Sequence, residues 1–271
     1  LHAGGKFGGG SYKVSSGLHG VGASVVNALS QWCRVIVKRG SETVMQEYEN
    51  GGNPLGPVAK FNPDKPVSKV KGAAWNLDLK QSLRSGELKN WPFESGTIVQ
   101  FMPDSTIFET TDFNINFFIN QLREYAYLTA GINFELVDHR TDSTFNFYFE
   151  GGIKTFLKAL NRNKEVIHST VFFVSKEIDD VHVEAALQYN DTYNENILCF
   201  ANHLKNSEGG THLTGFKSAL TKTINDYARK NNLLKEKDAN LTGDDVREGL
   251  TAIISVKLNS EILQFEGQTK A

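Results

Sequence analysis

The sequence predicts an α+β fold in two parts, and three observations indicate it. Short segments that alternate apolar and polar residues, such as 43–49, are typical of strands. Segments with apolar residues three and four positions apart, such as 115–126, are typical of helices. Neither part shows the strict alternation of strand and helix that a parallel α/β sheet needs, so a mixed architecture is expected for both.

The first part is predicted to hold strands around a long irregular segment, since all six prolines lie between Pro54 and Pro103. A helix is expected to follow a cap at Asp112. The predicted elements are a helix at 21–29, strands at 33–38, 43–49 and 97–102, a helix at 115–126, and a strand pair at 132–137 and 145–149.

The second part is predicted to begin at residue 151 with a short helix. Strands follow at 170–174, 181–189 and 197–201, and the most apolar strand of the chain is expected at 250–258. Between them lies a long helix whose apolar face is predicted to be Phe216, Ala219, Leu220, Thr223, Ile224, Tyr227 and Ala228.

Length and composition are those of an ordinary globular protein of 271 residues, 39% of them hydrophobic. The net charge of -2 gives no overall sign of nucleic-acid binding, so any DNA contact must be local. Cys33 and Cys199 fit no metal spacing and are expected to be buried thiols, with a disulfide as the alternative. The sequence contains no run of about 18 apolar residues, so no membrane span is predicted.

The glycine-rich stretch from Gly4 to Gly22 carries the strongest functional signal. Its second cluster, Gly17 to Gly22, has the spacing G-x-x-G-x-G and leads into a helix. Glycine lets the backbone approach a ligand, and the start of a helix attracts an anion, so the pattern predicts a phosphate cradle. From the residues alone, a hinge before the helix is an equal alternative.

Five motifs in order match a known family. They are LHAGGKF with GLHGVGASVVNALS in 1–30, YFEGGIK at 148–154, GGTH at 209–212, TGDDVREGL at 242–250, and QFEGQTK at 264–270. With them the chain resembles the B subunits of bacterial type II topoisomerases, which belong to the GHKL ATPases. The resemblance covers nearly all of the chain except about 54–94.

The resemblance implies a domain plan. Residues 1–150 would be the C-terminal part of a GHKL domain, a Bergerat-type α/β sandwich, with an ATP lid at 4–16 and a possible insertion at 54–94. Residues 151–271 would be a transducer domain with a ribosomal-protein S5-like fold, truncated at its C-terminus. The chain is expected to be an internal fragment of a longer protein.

The resemblance also implies an ATP site, in which Arg39 would lie at the rim and Lys270 would reach the γ-phosphate. The residues expected to bind ATP are Lys6, Tyr12, Gly17, Leu18, His19, Gly20, Val21, Gly22, Ala23, Thr97, Gln268 and Lys270. No catalytic or metal-binding residue is expected in this chain, because the family's general base and its ligand for Mg²⁺ lie upstream. The chain alone is therefore expected not to hydrolyse ATP.

The activity implied is that of an ATP-hydrolysing, DNA-binding topoisomerase in the cytoplasm, nearest to the DNA gyrase branch. Its expected partners are DNA and the gyrase A subunit in an A2B2 heterotetramer, with dimerisation of the B subunits driven by ATP and no membrane contact. The alternatives are topoisomerase IV, which decatenates DNA, another GHKL ATPase such as a MutL-like repair protein, and a nucleotide-independent scaffold.

Each of two groups of charged residues has two possible roles. Asp244, Asp245 and Glu248 could hold a metal, but a helix cap is favoured. Basic residues on or near the long helix could face DNA, although a solvated surface is the default interpretation; they are Lys217, Lys222, Arg229 and Lys230.

Overall fold

The computed structural model describes residues 17, 20–61, 69–70, 95–259 and 263–264, and every structural statement refers to these. They form two compact units: the first runs from Gly20 to Asn114, and the second from Ile115 onward, with Gly17 grouped with the second. This division reflects which residues pack against each other. The predicted domain boundary at 150/151 stays a prediction.

The first unit is a five-stranded antiparallel sheet with one helix. Its elements are α1 (Gly22–Ala28), β1 (Ser30–Arg39), β2 (Glu42–Glu49), β3 (Asn53–Pro54), β4 (Ala59–Lys60) and β5 (Ser95–Pro103). The strand order is β3-β2-β1-β5, and β4 also pairs with β2. Gly40, at φ 55°, makes the tight turn between β1 and β2.

One face of this sheet buries an ion pair. Arg34 on β1 is 1% exposed, and its Nε donates to Glu47 Oε1 on β2 at 2.8 Å. Its Nη1 donates to Gln100 Oε1 on β5 at 3.1 Å, and Glu47 Oε2 accepts from the backbone N–H of Lys69 at 2.8 Å. Since a buried charge is tolerated only when it is paired and hydrogen-bonded, this network fixes the register of the three strands.

The second unit has a five-stranded sheet, a separate hairpin and four helices among the described residues. The elements are α2 (Ile115–Leu128), β6 (Phe134–Asp138), β7 (Ser143–Phe147), α3 (Gly152–Leu160), β8 (Phe172–Ile178), β9 (Val181–Tyr189), β10 (Asn196–Ala201), β11 (Leu204–Lys205), α4 (Thr211–Lys230), α5 (Gly243–Arg247) and β12 (Leu250–Lys257). Both units mix helices with sheets, so the predicted α+β class is confirmed.

The larger sheet has the order β11-β10-β12-β9-β8, with β12 in its centre. β12 pairs parallel with β10 and antiparallel with β9. Its first six residues are buried, as the apolar run at 250–258 predicted. A core cluster on one side joins α3 to the sheet, and there the Tyr127 ring stacks between Phe149 and Phe156 at centroid distances of 3.8 and 4.6 Å.

Two details of the sequence prediction are wrong. The helix α2 begins at Ile115, which puts its cap position at Asn114 rather than at Asp112. On α4, Ala219, Thr223 and Tyr227 of the predicted apolar face are exposed, whereas Asn225 is buried. Asn225 can be buried because its side chain satisfies both the N–H and the carbonyl of Leu241, a partner that periodicity does not reveal.

Candidate functional site

The approach to α1 is built from glycines. Gly20 has φ 64°, a conformation that side chains rarely adopt, and the helix begins two residues later. Val21 at the cap position offers no side-chain cap, and no acidic residue occupies the first turn. A Cβ added at Gly22 would meet no atom within 4 Å. The helix start therefore presents backbone amides beside open space, which suits an anion.

Thr97 lies on the face of the sheet that carries α1. Thr97 is paired with Val37, and Phe101 lies on the same face four residues further along β5. Phe101 lines a cavity together with Val25 of α1, so the helix packs on this face. Arg39, paired with Ser95, points to this side as well. Thr97 itself is exposed.

The cavity under α1 has a volume of about 200 Å³ and is mainly apolar. It lies beside the C-terminal half of the helix, away from the glycines. Its lining residues from α1 and the following turn are Val25, Val26 and Leu29, and they face Phe101, Phe108 and Phe113. This end of the helix therefore supplies apolar packing contacts and no groups that would bind a phosphate.

The structure places some of the predicted ATP-binding residues and not others. Gly20, Val21, Gly22 and Ala23 lie together at the start of α1, and Thr97 lies on the sheet face beneath that helix. Gly17 is exposed and groups with the second unit. The remaining predicted residues lie outside the described part of the chain: Lys6, Tyr12, Leu18, His19, Gln268 and Lys270.

In the TGDDVREGL motif, Thr242 and Asp245 cap α5, whereas the Asp244 carboxylate pairs with Arg247 at 2.8 Å. The Thr242 hydroxyl accepts from the N–H of Asp245 at 3.2 Å, and an Asp245 carboxylate oxygen accepts from the N–H of Thr242 at 2.7 Å. This reciprocal pair confirms the capping interpretation. Side-chain and backbone hydrogen bonds from Thr242 lower the pKa of Asp245 below its ordinary value.

A groove of about 550 Å³ runs between α4 and α5, lined by basic and hydrogen-bonding side chains and by the carboxylate of Asp226. Two of its basic residues, Lys217 and Arg247, share Glu195 at 2.6 Å each. Burial alone would raise the pKa of Glu195, but the hydrogen bonds from these two cations outweigh it and lower the pKa. Sequence reasoning missed Glu195, because no spacing connects it with residues 22 and 52 positions away.

Arg229, one of the basic residues considered for DNA, has a structural task. Its guanidinium donates to the carbonyl of Lys235, to the carbonyl of Asp238 and to Asn240 Oδ1. It thereby holds the loop after α4 in place. Lys222, by contrast, is exposed and lines the groove.

Among the described residues, the structure shows no helix with the length and apolar character that crossing a membrane requires.

Comparison with known proteins gives consistent matches. The family model described as DNA gyrase B matches residues 152–271. Over 271 residues the chain is 50% identical to the B subunit of DNA gyrase from Clostridium acetobutylicum, covering all of this chain and 38% of that protein. Over 270 residues it is 46% identical to the B subunit of DNA topoisomerase 4 from Bacillus subtilis, covering all of this chain and 37% of the relative.

Solved structures agree with the sequence matches. The 43K ATPase domain of Thermus thermophilus gyrase B, solved with an aminocoumarin, superposes with a TM-score of 0.70 at 35% identity. That match covers 92% of this chain and 60% of the other. The topoisomerase IV ATP-binding domain of Francisella tularensis gives 0.68 at 25% identity, covering 93% and 60%. The chain thus spans well under half of the curated relatives and about three fifths of these solved domains.

Proposed function

Since the chain belongs to the family of bacterial type II topoisomerase B subunits, we propose that it forms part of the ATP-binding and transducer region of such an enzyme. The GHKL ATPase fold expected from the sequence is the fold of its structural neighbours. In this proposal the region couples the binding and hydrolysis of ATP, with Mg²⁺, to the passage of one DNA duplex through another.

The start of α1 is the observation that carries the proposal. It combines a left-handed Gly20, an uncapped helix start without acidic residues, and open space beside Gly22. Backbone amides in this arrangement attract phosphate through hydrogen bonds and through the partial positive charge of the helix. The residues from Gly17 to Ala23 would hold the triphosphate, and Thr97 would lie near the adenine.

In the proposal, residues near both ends of the chain also contact the nucleotide. Lys6 and Tyr12 would belong to the lid at 4–16. Gln268 and Lys270 would reach the nucleotide from the transducer domain, which we propose begins at residue 151. Since a lysine ammonium suits a phosphate as a compact point charge, Lys270 would contact the γ-phosphate. Loss of that contact on hydrolysis would release the two domains from each other.

For the full-length protein we propose a cytoplasmic B subunit that dimerises when ATP binds. It would associate with DNA and with the gyrase A subunit in an A2B2 heterotetramer. The general base and the Mg²⁺ ligand would lie outside this chain, so the chain by itself would supply contacts to the nucleotide but not turn ATP over.

DNA gyrase is the favoured branch, and topoisomerase IV is the alternative. The family model that matches is DNA gyrase B, and the identity is 50% to one gyrase relative against 46% to one topoisomerase IV relative. This difference is small, so the two activities must be separated by assay. A gyrase introduces negative supercoils, and the alternative would decatenate without doing so.

The test uses the full-length protein with its A subunit. We expect ATP-dependent negative supercoiling of relaxed plasmid, and we expect Lys270→Ala to lose most of the ATPase and supercoiling rates. Lys158→Ala, an exposed lysine in the last turn of α3, is the matched control. Decatenation without supercoiling would support the alternative, and ATPase activity unaffected by Lys270→Ala would contradict the proposed site.

A further inference from the structure

Glu195, which directly precedes β10, joins two helices through its carboxylate. Its Oε1 accepts from Lys217 Nζ of α4 at 2.6 Å, and its Oε2 accepts from Arg247 Nε of α5 at 2.6 Å. Both distances are short even for hydrogen bonds between charged groups. Since each oxygen binds a different cation, Glu195 keeps both partners only as long as neither of them binds another anion.

The groove between α4 and α5 carries no excess of positive charge. Its basic lining residues are Lys217, Lys222 and Arg247. They are balanced by three carboxylates: Glu195, Asp244, which accepts from Arg247 Nη2 at 2.8 Å, and Asp226, which lines the groove. A protein binds the phosphates of DNA through cations that neutralise them. This surface is therefore a weaker partner for DNA than its basic residues alone would suggest.

The two lysines of α4 that line the groove differ in what a phosphate would have to displace. Lys222 is exposed, so a phosphate could reach it from solvent. The side chain of Lys217 is 29% exposed, which also leaves it within reach, but Glu195 holds it. A phosphate that bound Lys217 would lie beside a carboxylate that had lost one of its two cations, and like charges repel each other. Lys222 is therefore available to DNA, whereas Lys217 is not.

We propose that Glu195 limits the number of DNA phosphates that this groove binds, by holding Lys217. The inference rests on the proposed function, in which duplex DNA is a partner of the full-length protein. Glu195 does not contact DNA itself; it is a positioning residue that acts through Lys217. Arg247 depends on it less, because Asp244 also pairs with that guanidinium. The groove then holds DNA through few contacts, which suits a duplex that has to move through the enzyme.

The experiment removes the charge of Glu195 and keeps the size of its side chain, with the variant Glu195→Gln. Glu177→Gln is the matched control, because it makes the same change of charge at an exposed carboxylate on β8. The affinity of the full-length protein, together with its A subunit, for linear duplex DNA is measured over a series of salt concentrations. The slope of log affinity against log salt concentration reports the phosphate contacts, at about 0.9 for each.

We expect Glu195→Gln to steepen the slope by about 0.9, the value for one additional phosphate contact, which the released Lys217 makes. Glu177→Gln should leave the slope unchanged. Lys217→Ala should also leave it unchanged as long as Glu195 is present. In the double variant, Lys217→Ala should abolish the gain produced by Glu195→Gln, because the carboxylate acts through that lysine.

The outcomes separate the inference from the function on which it rests. A lower thermal midpoint with an unchanged slope for Glu195→Gln would show a purely structural cross-link and refute the inference. A shallower slope for Lys217→Ala alone would refute it as well, since Lys217 would then contact DNA beside Glu195. If the unaltered complex does not bind DNA, the proposed function itself fails. Should Glu195→Gln not fold, Glu195→Asp replaces it, because the shorter carboxylate cannot hold both cations and should steepen the slope likewise.

Discussion

Gly22 and Gly215 are both helical glycines at which an added Cβ would meet no atom within 4 Å. Gly22 starts α1 beside the proposed phosphate site, whereas Gly215 lies on the exposed side of α4. Replacing either by alanine should stabilise its helix by up to about 1 kcal/mol. The two sites therefore allow binding to be separated from folding.

We expect Gly22→Ala to weaken binding of an ATP analogue to the full-length protein about tenfold or more, because a methyl group would occupy space next to the amides. Its thermal midpoint should not fall. Gly215→Ala should raise or preserve the midpoint and leave binding unchanged. Calorimetric titration with the analogue checks both variants, and normal binding by Gly22→Ala would contradict the cradle.

Gly249 and Gly243 belong to one sequence motif, but they differ in whether the surrounding structure could accept a side chain. Gly249 has φ 69°, and a Cβ there would lie 2.4 Å from the Asn190 carbonyl oxygen and 2.7 Å from that of Thr192. At Gly243 the nearest atom is the end of the flexible Arg247 side chain, at 2.5 Å. Backbone cannot move aside as a long side chain can, so only Gly249 is required by the fold.

Alanine at Gly249 should destabilise the protein by about 3 kcal/mol or more, through a clash and a strained backbone. Alanine at Gly243 should cost less than about 1 kcal/mol. Chemical denaturation of the 271-residue chain measures both changes. Equal effects at the two positions would show that the close approach of Asn190 to Gly249 is not maintained in solution.

The elements themselves were largely predictable, because their signals are local. Alternation identified β2, and an apolar run identified the buried β12. What the sequence could not show are partners brought together by register, such as Arg34 with Glu47 across two strands. The same reason explains why Glu195 was not recognised: its partners Lys217 and Arg247 lie 22 and 52 positions away.

The candidate site, too, could be predicted from the sequence only in part. The glycines before α1 were found from spacing, since a loop that approaches a phosphate needs residues without side chains. That α1 packs on the sheet face that carries Thr97 follows from the cavity that Val25 and Phe101 line together, which only the structure shows. The roles of Gln268 and Lys270 stay predictions.

The hairpin of β6 and β7 carries Asp138, a carboxylate whose pKa is well below its ordinary value. Arg140 donates from its side chain and its backbone to Asp138, and these hydrogen bonds lower the pKa of Asp138 from 3.8 to about 2. When the pKa of a carboxyl group is lower in the folded state, the group contributes its full stability at pH values above its pKa in the unfolded chain. That stability is lost as the pH falls through the folded value.

We therefore expect Asp138→Asn to lower the thermal midpoint by a constant amount from pH 7 to about pH 5. The difference from the unchanged protein should shrink as the pH falls from about 4 towards 2. Asp226→Asn, which alters an exposed carboxylate on α4, should show a flat difference over the same range. A constant deficit for Asp138→Asn down to the lowest pH would rule out this origin.

At the scale of the whole molecule, the net charge of -2 makes DNA binding depend on where the cations are free to act. The groove between α4 and α5 holds three basic side chains and Asp226, but Lys217 and Arg247 are already paired with Glu195, and Arg247 also with Asp244. Arg229 nearby holds a loop. Lys222, which is exposed at this groove, is therefore the residue that we expect to meet a DNA phosphate.

In the full-length protein with its A subunit, Lys222→Ala should weaken DNA binding equally for different sequences, because a phosphate contact carries no sequence information. The slope of log affinity against log salt concentration should fall by about 0.9, the value for one lost phosphate contact. Lys158→Ala, an exposed lysine on α3, should leave the slope unchanged. An unchanged slope for Lys222→Ala would mean that the groove is a solvated surface, and DNA would then have to be held by parts of the protein beyond these two units.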